Sequence, residues 1–344
     1  MSPATTNREP LRYYLISYPR TASSLFLKIL ALDAQPGFST GEYEGGYFFM
    51  PAYNDLYEPS LRATCVNDWT PDQRGRIQDS LQRCFDKQQQ WVESAQAKGL
   101  SVFVKEHATF LAEPTERSRL LFGSKTVNEP KWTVKYDGGA THSKLNITML
   151  PDEYLLTWLP TFLIRHPALA FPSLYRTLLK REDSEKVSAD NFAALVATVK
   201  WTRDLYDFYV QRRGHLPCSP GQRDEWPIVL DADDVIAHPR TVSVYCEKLG
   251  MDPRQLRYTW DQVGPEHMSR MRAEQVIMRS TLYASTGVMQ NKTSDGLDIA
   301  DEVNKWKTEF GVPAAEHIEM LVRGAMPDYE YLRAKRLRVD CDAA

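Results

Sequence analysis

The sequence predicts an α/β protein with a central parallel sheet flanked by helices. Three features indicate this class: short runs of β-forming residues, helical patterns that follow them, and glycines or prolines between the two. Strands that alternate with helices are typical of parallel sheets covered on both faces. At 344 residues the chain suits one large domain. We expect it to span residues 11–335, between a flexible N-terminus (1–10) and a C-terminal tail (336–344).

The first strand and the first helix follow one another directly. Arg12–Tyr18 is a run of β-forming residues that ends at Pro19. In the next stretch, TASSLFLKILALDA, the apolar residues Leu25, Ile29 and Leu32 share one face of a helix. A strand joined to a helix by a turn of small residues is the start of an α/β unit.

A long helix and a second strand come next. Apolar residues recur at roughly helical spacing through Pro71–Lys98, and Gly99 fits the end of a helix. Leu100–Lys105 is the second predicted strand. Residues 112–157 then break the alternation with prolines, glycines, threonines and charges. We interpret them as an irregular insertion.

The alternation resumes with two further strands. Trp158–Arg165 predicts the third strand, although Pro160 limits the length that can be paired. Asn191–Arg213 predicts a helix with an aromatic face, Pro227–Asp231 predicts the fourth strand, and His238–Gly250 predicts a helix closed by its glycine. Ligands of parallel sheets bind at the carboxyl ends of the strands. The residues just after the first three strands are therefore the candidates for chemistry.

Composition excludes several classes of function. The net charge of −3 gives no reason to expect nucleic-acid binding, so an anion site would have to be built locally. The N-terminus lacks the features of a signal peptide, and no apolar run approaches the ~20 residues of a membrane span. The cysteines are scattered without metal-type spacing, which is typical of reduced thiols: Cys65, Cys84, Cys218, Cys246 and Cys341. We expect a cytoplasmic protein without a metal.

The first strand end carries the sequence YPRTASS. Small residues let several backbone N–H groups point at one anion, and the following helix adds its positive end. Arg20 supplies charge, and three hydroxyls supply hydrogen-bond donors: those of Thr21, Ser23 and Ser24. The full Walker pattern is absent, which weighs against an ATPase or a kinase. The alternative is an ordinary helix capped by Thr21 or Ser23.

The second strand end carries Lys105, Glu106 and His107. Alternation along a strand places Lys105 and His107 on the same face. A histidine can take a proton from an attacking hydroxyl, and a lysine can stabilise charge on transferring oxygens. The alternative is a solvated cluster of charges at a strand end.

The third strand end carries FLIRHPALAFPSLY. Arg165 can form two hydrogen bonds to a phosphate, and Ser173, eight residues further on, adds a hydroxyl. Pro167 and Pro172 shape the turn and the start of the helix between them. The alternative is an arginine paired with a carboxylate.

These three strand ends resemble motifs of the sulfotransferases. YPRTASS resembles the 5′-phosphosulfate loop of that family, and FLIRHPALAFPSLY resembles its 3′-phosphate motif. Lys105-Glu106-His107 is similar to the family's Lys-x-His, and Trp306-Lys307 is similar to the Trp-Lys of a loop that closes over the donor. The resemblance covers about residues 11–310, with 112–157 unmatched.

The resemblance implies a sulfotransferase-like P-loop fold and no metal. It implies transfer of a sulfuryl group from 3′-phosphoadenosine 5′-phosphosulfate (PAPS) to a hydroxyl or amine, which leaves the product PAP. It assigns the 5′-phosphosulfate to the loop Arg20, Thr21, Ala22, Ser23 and Ser24. It assigns the 3′-phosphate to Arg165 and Ser173, the base to His107, and charge stabilisation to Lys105.

Two positions of the loop depart from the family's common forms. Arg20 stands where cytosolic members carry a catalytic lysine, although other branches use arginine. Ala22 stands where the common forms have glycine, which restricts the loop if a positive φ is needed.

The acceptor is expected to be a lipophilic small molecule, because aromatic residues cluster before the long helix. They are Tyr43, Tyr47, Phe48, Phe49, Tyr53, Tyr57 and Trp69. The alternatives for this cluster are plain core packing and stabilisation of a carbocation. The last belongs to a rival hypothesis, an enzyme on the same scaffold that ionises, eliminates or cyclises a prenyl diphosphate. A third hypothesis is a binding protein that has lost the donor site.

Overall fold

The computed structural model of the protein describes residues 9–39, 45–181 and 195–339. The predictions that concern residues 1–8, Tyr43, the first part (191–194) of one helix, and the end of the tail with Cys341 lie outside these ranges. In the described chain one sheet contains β1 (Arg12–Ser17), β2 (Phe38–Ser39), β3 (Ser101–His107), β4 (Leu159–Ile164) and β5 (Ile228–Asp231). Its order is β2-β3-β1-β4-β5, and every pair is parallel.

Helices connect and cover these strands. Before β3 lie α1 (Ser23–Leu30), α2 (Met50–Leu56), α3 (Pro59–Arg62) and α4 (Pro71–Gln96). Between β3 and β5 lie α5 (Ala108–Leu111), α6 (Pro114–Phe122), α7 (Asp152–Leu155), α8 (Pro167–Arg181) and α9 (Lys200–Gln211). After β5 come α10 (Ala232–Ala237), α11 (Pro239–Leu249), α12 (Pro265–Ser269), α13 (Ala273–Tyr283), α14 (Ile299–Phe310) and α15 (Val312–Ala334). Short 3-10 helices occupy Leu32–Ala34, Val66–Asp68, Arg213–His215, Pro220–Glu225, Pro253–Gln255 and Gln290–Lys292.

The predicted α/β class and parallel sheet are confirmed. All four predicted strands are present with ends shifted by one or two residues, and β3 continues to His107. The remaining strand, β2, was not predicted. It has only two residues, and so short a run shows no periodicity. Pro160 does pair with β1 opposite Tyr14, whereas pairing with β5 begins only at Thr161. The proline therefore shortens the pairing on one side of β4.

Three local predictions need correction. In the described part of the helix expected over Asn191–Arg213, residues 197–199 break the helix, and α9 begins at Lys200, whose N–H donates to the hydroxyl of Thr198 at 3.1 Å. The stretch 112–157 stays a predicted insertion, but it is not irregular throughout, because it contains α6, whose first-turn N–H groups Glu113 accepts. The expected donor-closing loop at Trp306 is part of α14, where this side chain is buried.

Alternation along the strands separates two sets of side chains. On one face Tyr13 of β1 donates to the carbonyl of Leu249, at the end of α11. Tyr14 packs on the other face, against Trp158. The parallel register aligns Ser17 with His107 and Ile16 with Glu106. His107 therefore points to the α11 face and Glu106 to the opposite one.

Candidate active site

A cavity of about 730 Å³ lies at the carboxyl ends of β1, β3 and β4, within the size range of small-molecule sites. Seven of the nine predicted site residues line it: Arg20, Ala22, Ser23, Ser24, His107, Arg165 and Ser173. The other two, Thr21 and Lys105, are fully buried beside them. The fold thus brings all three predicted motifs to one place.

The loop after β1 makes a tight turn into α1. Arg20 and Ala22 both have a positive φ, of 70° and 62°. Ala22 is the N-cap of α1, and no side chain caps this helix, so neither Thr21 nor Ser23 does so. The hydroxyl of Thr21 instead donates to the carbonyl of Tyr18 at 3.1 Å and stabilises the turn. The position of Ala22 therefore has the left-handed backbone that glycine adopts without strain.

Two arginines meet beside this loop. The Nε of Arg20 donates to the hydroxyl of Ser173 at 3.0 Å, and its Nη1 donates to the carbonyl of Met278. Arg165 donates to the carbonyl of Arg20 at 3.1 Å and to that of Lys292 at 3.0 Å, while its buried Nε has no partner in the described part of the chain. Burial lowers the pKa of both guanidinium groups, and the charge of Arg165 lowers that of Arg20 further. Among the described residues neither forms an ion pair with a carboxylate.

The charged side chains of the cavity wall all carry the same sign. Its basic residues are Arg20, Arg165, Arg176, Lys180, Arg272, Arg279 and Lys292, and none of the described residues that line it is acidic. Glu309 neutralises Arg176 from outside the cavity, with an N–O distance of 2.5 Å. The charge is therefore built locally in a chain whose net charge is −3.

Sequence reasoning missed the cations that follow residue 270. Arg272, Arg279 and Lys292 lie in and around α13, which packs against α1 and α8 and covers the two arginines of the strand ends. This segment follows no strand, so the strand-end criterion could not find it. Its arginines (SRMRAEQVIMRS) were the one available signal.

His107 is held by a hydroxyl on each ring nitrogen. Its Nδ1 lies 2.9 Å from the Oγ of Ser17, and its Nε2 lies 3.0 Å from the phenol oxygen of Tyr47. Burial lowers the pKa of His107 well below its ordinary value, and the charges of Lys105 and Arg20 lower it further. The imidazole is therefore neutral at physiological pH and able to accept a proton.

Tyr47 is a further residue to which sequence reasoning gave no role of its own. Its φ is 64°, and its N–H donates to the carbonyl of Lys105 at 2.8 Å. Gly46 before it passes so close to β3 that an added Cβ would lie 2.0 Å from the oxygen of Lys105. The ammonium of Lys105 lies 4.3 Å from the centre of the Tyr47 ring and 3.4 Å from the hydroxyl of Ser24.

Glu106 supports this segment from the other face of the sheet. Its Oε1 accepts the N–H of Phe49 at 3.1 Å, whereas its buried Oε2 has no partner in the ranges that the structure describes. Burial raises the pKa of Glu106 to about 8. The carboxyl group thus anchors the chain directly after Tyr47.

The rest of the cavity wall is apolar and aromatic. It includes Met50, Tyr53, Tyr57, Phe110, Leu178 and Val196. Of the aromatic cluster noted in the sequence, Tyr47, Tyr53 and Tyr57 line the cavity. Phe48, Phe49 and Trp69 belong to the hydrophobic core. Core packing is therefore confirmed for these three residues, whereas an acceptor surface stays a prediction for the residues that line the cavity.

Two features are absent from the described ranges. No group of three or more histidine, cysteine or acidic side chains there has an arrangement that could hold a metal ion. None of the helices in those ranges is long and apolar enough to cross a bilayer.

The parallel sheet and the cationic pocket at its strand ends define an α/β protein that binds an anionic group. No protein-family model matches the chain. The chain is 63% identical over 334 residues to sulfotransferase ppzF of Metarhizium majus (strain ARSEF 297), which covers 96% of this chain and 98% of that protein. It is also 63% identical over 332 residues to sulfotransferase ppzF of Metarhizium rileyi (strain RCEF 4871), with the same coverage. The chain therefore belongs to the sulfotransferase family, as its motifs predicted.

A solved structure is more distantly similar. The sulfotransferase domain from the Synechococcus PCC 7002 olefin synthase aligns with 88% of this chain and 96% of that domain. The identity is 12% and the TM-score 0.38.

Proposed function

We propose that this protein transfers a sulfuryl group from PAPS to a hydroxyl of a lipophilic small molecule. The observation that carries the proposal is one cavity that holds a neutral histidine and two half-buried arginines, neither of which has a carboxylate partner among the described residues. Arginines of this kind favour an anionic ligand, and a neutral histidine suits a general base. We further propose a cytoplasmic location and no requirement for a metal, as expected from the sequence.

The donor is proposed to bind between the loop after β1 and the start of α8. Arg20, the backbone N–H groups of residues 22–24, and the hydroxyls of Ser23 and Ser24 would hold the 5′-phosphosulfate. Arg165 and Ser173 would hold the 3′-phosphate. The partners of both guanidinium groups are neutral oxygens: one hydroxyl and three carbonyls. A phosphate would replace them with charge-assisted hydrogen bonds, which are roughly twice as strong as neutral ones.

His107 is proposed as the base that takes the proton of the acceptor. Its low pKa arises in part from the positive charges of Lys105 and Arg20. An anionic donor beside these two cations would offset their effect and raise the pKa of His107. The base would therefore become stronger when the donor is bound. Lys105 is proposed to stabilise charge on the transferring group.

The acceptor is proposed to lie against the apolar and aromatic part of the wall. Tyr53, Tyr57 and Phe110 present ring surface there, and Met50 adds a flexible apolar side chain. Such a surface favours a lipophilic molecule with a hydroxyl that reaches His107. The rival ionisation chemistry would require only the anion site.

Calorimetry with PAP tests the donor site. Arg165→Ala should weaken PAP binding by about 2–3 kcal/mol, the scale of hydrogen bonds to charged groups. The matched control is Arg254→Ala, because this exposed arginine pairs with Asp252 outside the cavity. Unchanged PAP affinity in a folded Arg165→Ala protein would refute the 3′-phosphate assignment. Binding of a prenyl diphosphate without binding of PAP would favour the rival hypothesis.

A further inference from the structure

We propose that Tyr47 is a further catalytic residue, which relays the proton of the acceptor to His107. The inference rests on the function proposed above and concerns the same cavity. It assigns a role to a residue outside the three strand-end motifs.

The first observation is that His107 has no ring nitrogen free for an acceptor. Ser17 occupies Nδ1 and Tyr47 occupies Nε2, at 2.9 Å and 3.0 Å. His107 and Tyr47 both line the cavity and Ser17 does not, so the ring nitrogen bonded to a cavity residue is Nε2, and the phenol already occupies it. A base that takes the proton directly would first have to lose its bond to Tyr47.

The second observation is the direction of the hydrogen bonds. Burial raises the pKa of Tyr47 to about 12, so the phenol carries its proton, and the hydroxyl of Ser23 hydrogen-bonds to its oxygen. We assign the single phenol proton to the bond with Nε2, which leaves the proton on Nδ1 to face Ser17. The chain then runs from Ser23 through Tyr47 to His107, with the basic end at the imidazole.

The third observation is that the fold holds Tyr47 in a strained conformation. A non-glycine residue with a φ of 64° is unfavourable, and such residues cluster at functional sites. The close approach of Gly46 to Lys105 and the bond from Phe49 to Glu106 fix the segment on both sides. The position of Tyr47 is therefore set by backbone contacts on both sides of it.

The charge that a relay creates is also accommodated. The phenol becomes partly anionic while its proton moves to His107. The ammonium of Lys105 lies 4.3 Å from the centre of this ring, and the hydroxyl of Ser23 bonds to the phenol oxygen. Both interactions stabilise negative charge on the phenol.

The proposed step balances as follows. The acceptor oxygen forms a bond to the sulfur of PAPS, and the bond from sulfur to the bridging phosphate oxygen breaks. PAP leaves with that electron pair. The acceptor proton passes to the oxygen of Tyr47 as the phenol proton passes to Nε2 of His107. The imidazolium then releases a proton to solvent, and no group is oxidised or reduced.

The test compares Tyr47→Phe with wild type. This variant keeps the ring beside Lys105 and removes only the hydroxyl. Turnover is followed as PAP released from PAPS, with 2-naphthol as the probe acceptor and also with water alone. We expect kcat to fall about 100-fold, while KM for PAPS and the affinity for PAP stay unchanged. In mixtures of H₂O and D₂O, a plot of the wild-type rate against the deuterium fraction should be curved, because two protons move in the rate-limiting step. The same plot for Tyr47→Phe should be linear, because only one proton moves.

A matched control is Tyr258→Phe, which removes a phenol hydroxyl bonded to the carbonyl of Pro239 outside the cavity. It should leave kcat unchanged. A second test keeps the hydroxyl. Replacement of Tyr47 by fluorotyrosine lowers the pKa of the phenol and should shift the pH profile of kcat.

Three results would overturn the relay. Wild-type or higher kcat in Tyr47→Phe, with a lower KM for 2-naphthol, would mean that the phenol only fills the position of the acceptor. Loss of PAP affinity together with kcat would mean a structural role. An unshifted pH profile with fluorotyrosine would exclude proton transfer through position 47. Wild-type protein that binds PAP but releases none from PAPS would instead refute the proposed function, and the relay with it.

Discussion

The two halves of the cavity hold their polar groups in opposite ways. In the proposed donor half (residues 19–24, Arg165 and Ser173), guanidinium cations contact neutral oxygens, and no carboxylate of the described residues pairs with them. In the base half (Tyr47, Lys105 and His107), a neutral imidazole and a neutral phenol satisfy one another. Binding an anion requires charge that is not already neutralised, whereas proton transfer requires groups whose protons can move. The difference indicates which kind of effect each mutation should have.

The two halves also share a backbone feature: each contains non-glycine residues in the left-handed region of φ/ψ space. In the donor half it occurs at Arg20 and Ala22, and in the base half at Tyr47. Each such residue costs roughly 1–2 kcal/mol relative to a right-handed conformation. Strain of this kind persists where the surrounding structure fixes the chain, which at Tyr47 is the contact of Gly46 with β3.

His107→Ala should give the largest effect and separate the halves most sharply. An acceptor hydroxyl is a poor nucleophile while protonated, so loss of the base should lower turnover by about 10²–10⁴-fold. PAP affinity should remain nearly intact, because the cations of the donor half are untouched. The measurements are PAPS-dependent product formation and PAP calorimetry on the same protein.

His107→Asn is the matched variant, since it keeps hydrogen bonding to Ser17 or Tyr47 but has no useful basicity. It should be as inactive as His107→Ala. An active alanine variant would remove the proposed base. If His107→Ala loses both stability and PAP binding, the histidine has a structural role. The donor half would then depend on the base half. Turnover without PAPS would refute the sulfotransferase activity itself.

Glu106 should make the stability of the base half depend on pH. Burial raises the pKa of this carboxyl from 4.5 to about 8, so the folded state binds a proton that the unfolded state has lost. The contribution is therefore present below about pH 4.5 and is lost as the pH rises through about 8, by an amount on the order of a few kcal/mol. Urea unfolding at about pH 5 and about pH 8 measures it.

Glu106→Gln should remove this dependence, because an amide does not titrate in the range. The control is Glu316→Gln, an exposed side chain on α15, which should behave as wild type. A wild-type stability that rises between the two pH values relative to Glu106→Gln would contradict the raised pKa. It would mean that the carboxylate is stabilised in the folded protein.

The donor half was largely predictable from the sequence, and the base half was predictable only in part. Arg20, Arg165 and Ser173 follow strands whose patterns are clear, and parallel strands bring their carboxyl ends to one edge. His107 was found for the same reason. These roles remain predictions, but their convergence in one cavity follows from strand order and register alone.

The rest depends on long-range contacts that leave no local pattern. Tyr47 reaches His107 because Gly46 pairs with β3, a bridge between segments about 60 positions apart in the chain. The cations Arg272 and Arg279 reach the cavity because α13 packs on α1 and α8. Neither contact has a periodicity or a motif. The aromatic residues that cluster before α4 in the sequence suggest an acceptor surface. They do not indicate which of them contacts the base.

Ala22→Gly should give the smallest effect, and it tests whether the strain of the donor loop serves binding. Alanine at a φ of 62° loses about 1–2 kcal/mol to strain, whereas glycine increases the entropy of the unfolded chain by about 0.4–1 kcal/mol. The variant should therefore be more stable by about 0.5–1 kcal/mol in urea unfolding, with unchanged PAP affinity because the backbone already has the conformation of glycine. The matched control is Ala314→Gly in α15, a right-handed site that should lose about 0.5–1 kcal/mol. Destabilisation of Ala22→Gly as large as that of the control would mean that the methyl group packs productively. Weaker PAP binding in a more stable protein would mean that alanine holds the loop in its binding conformation.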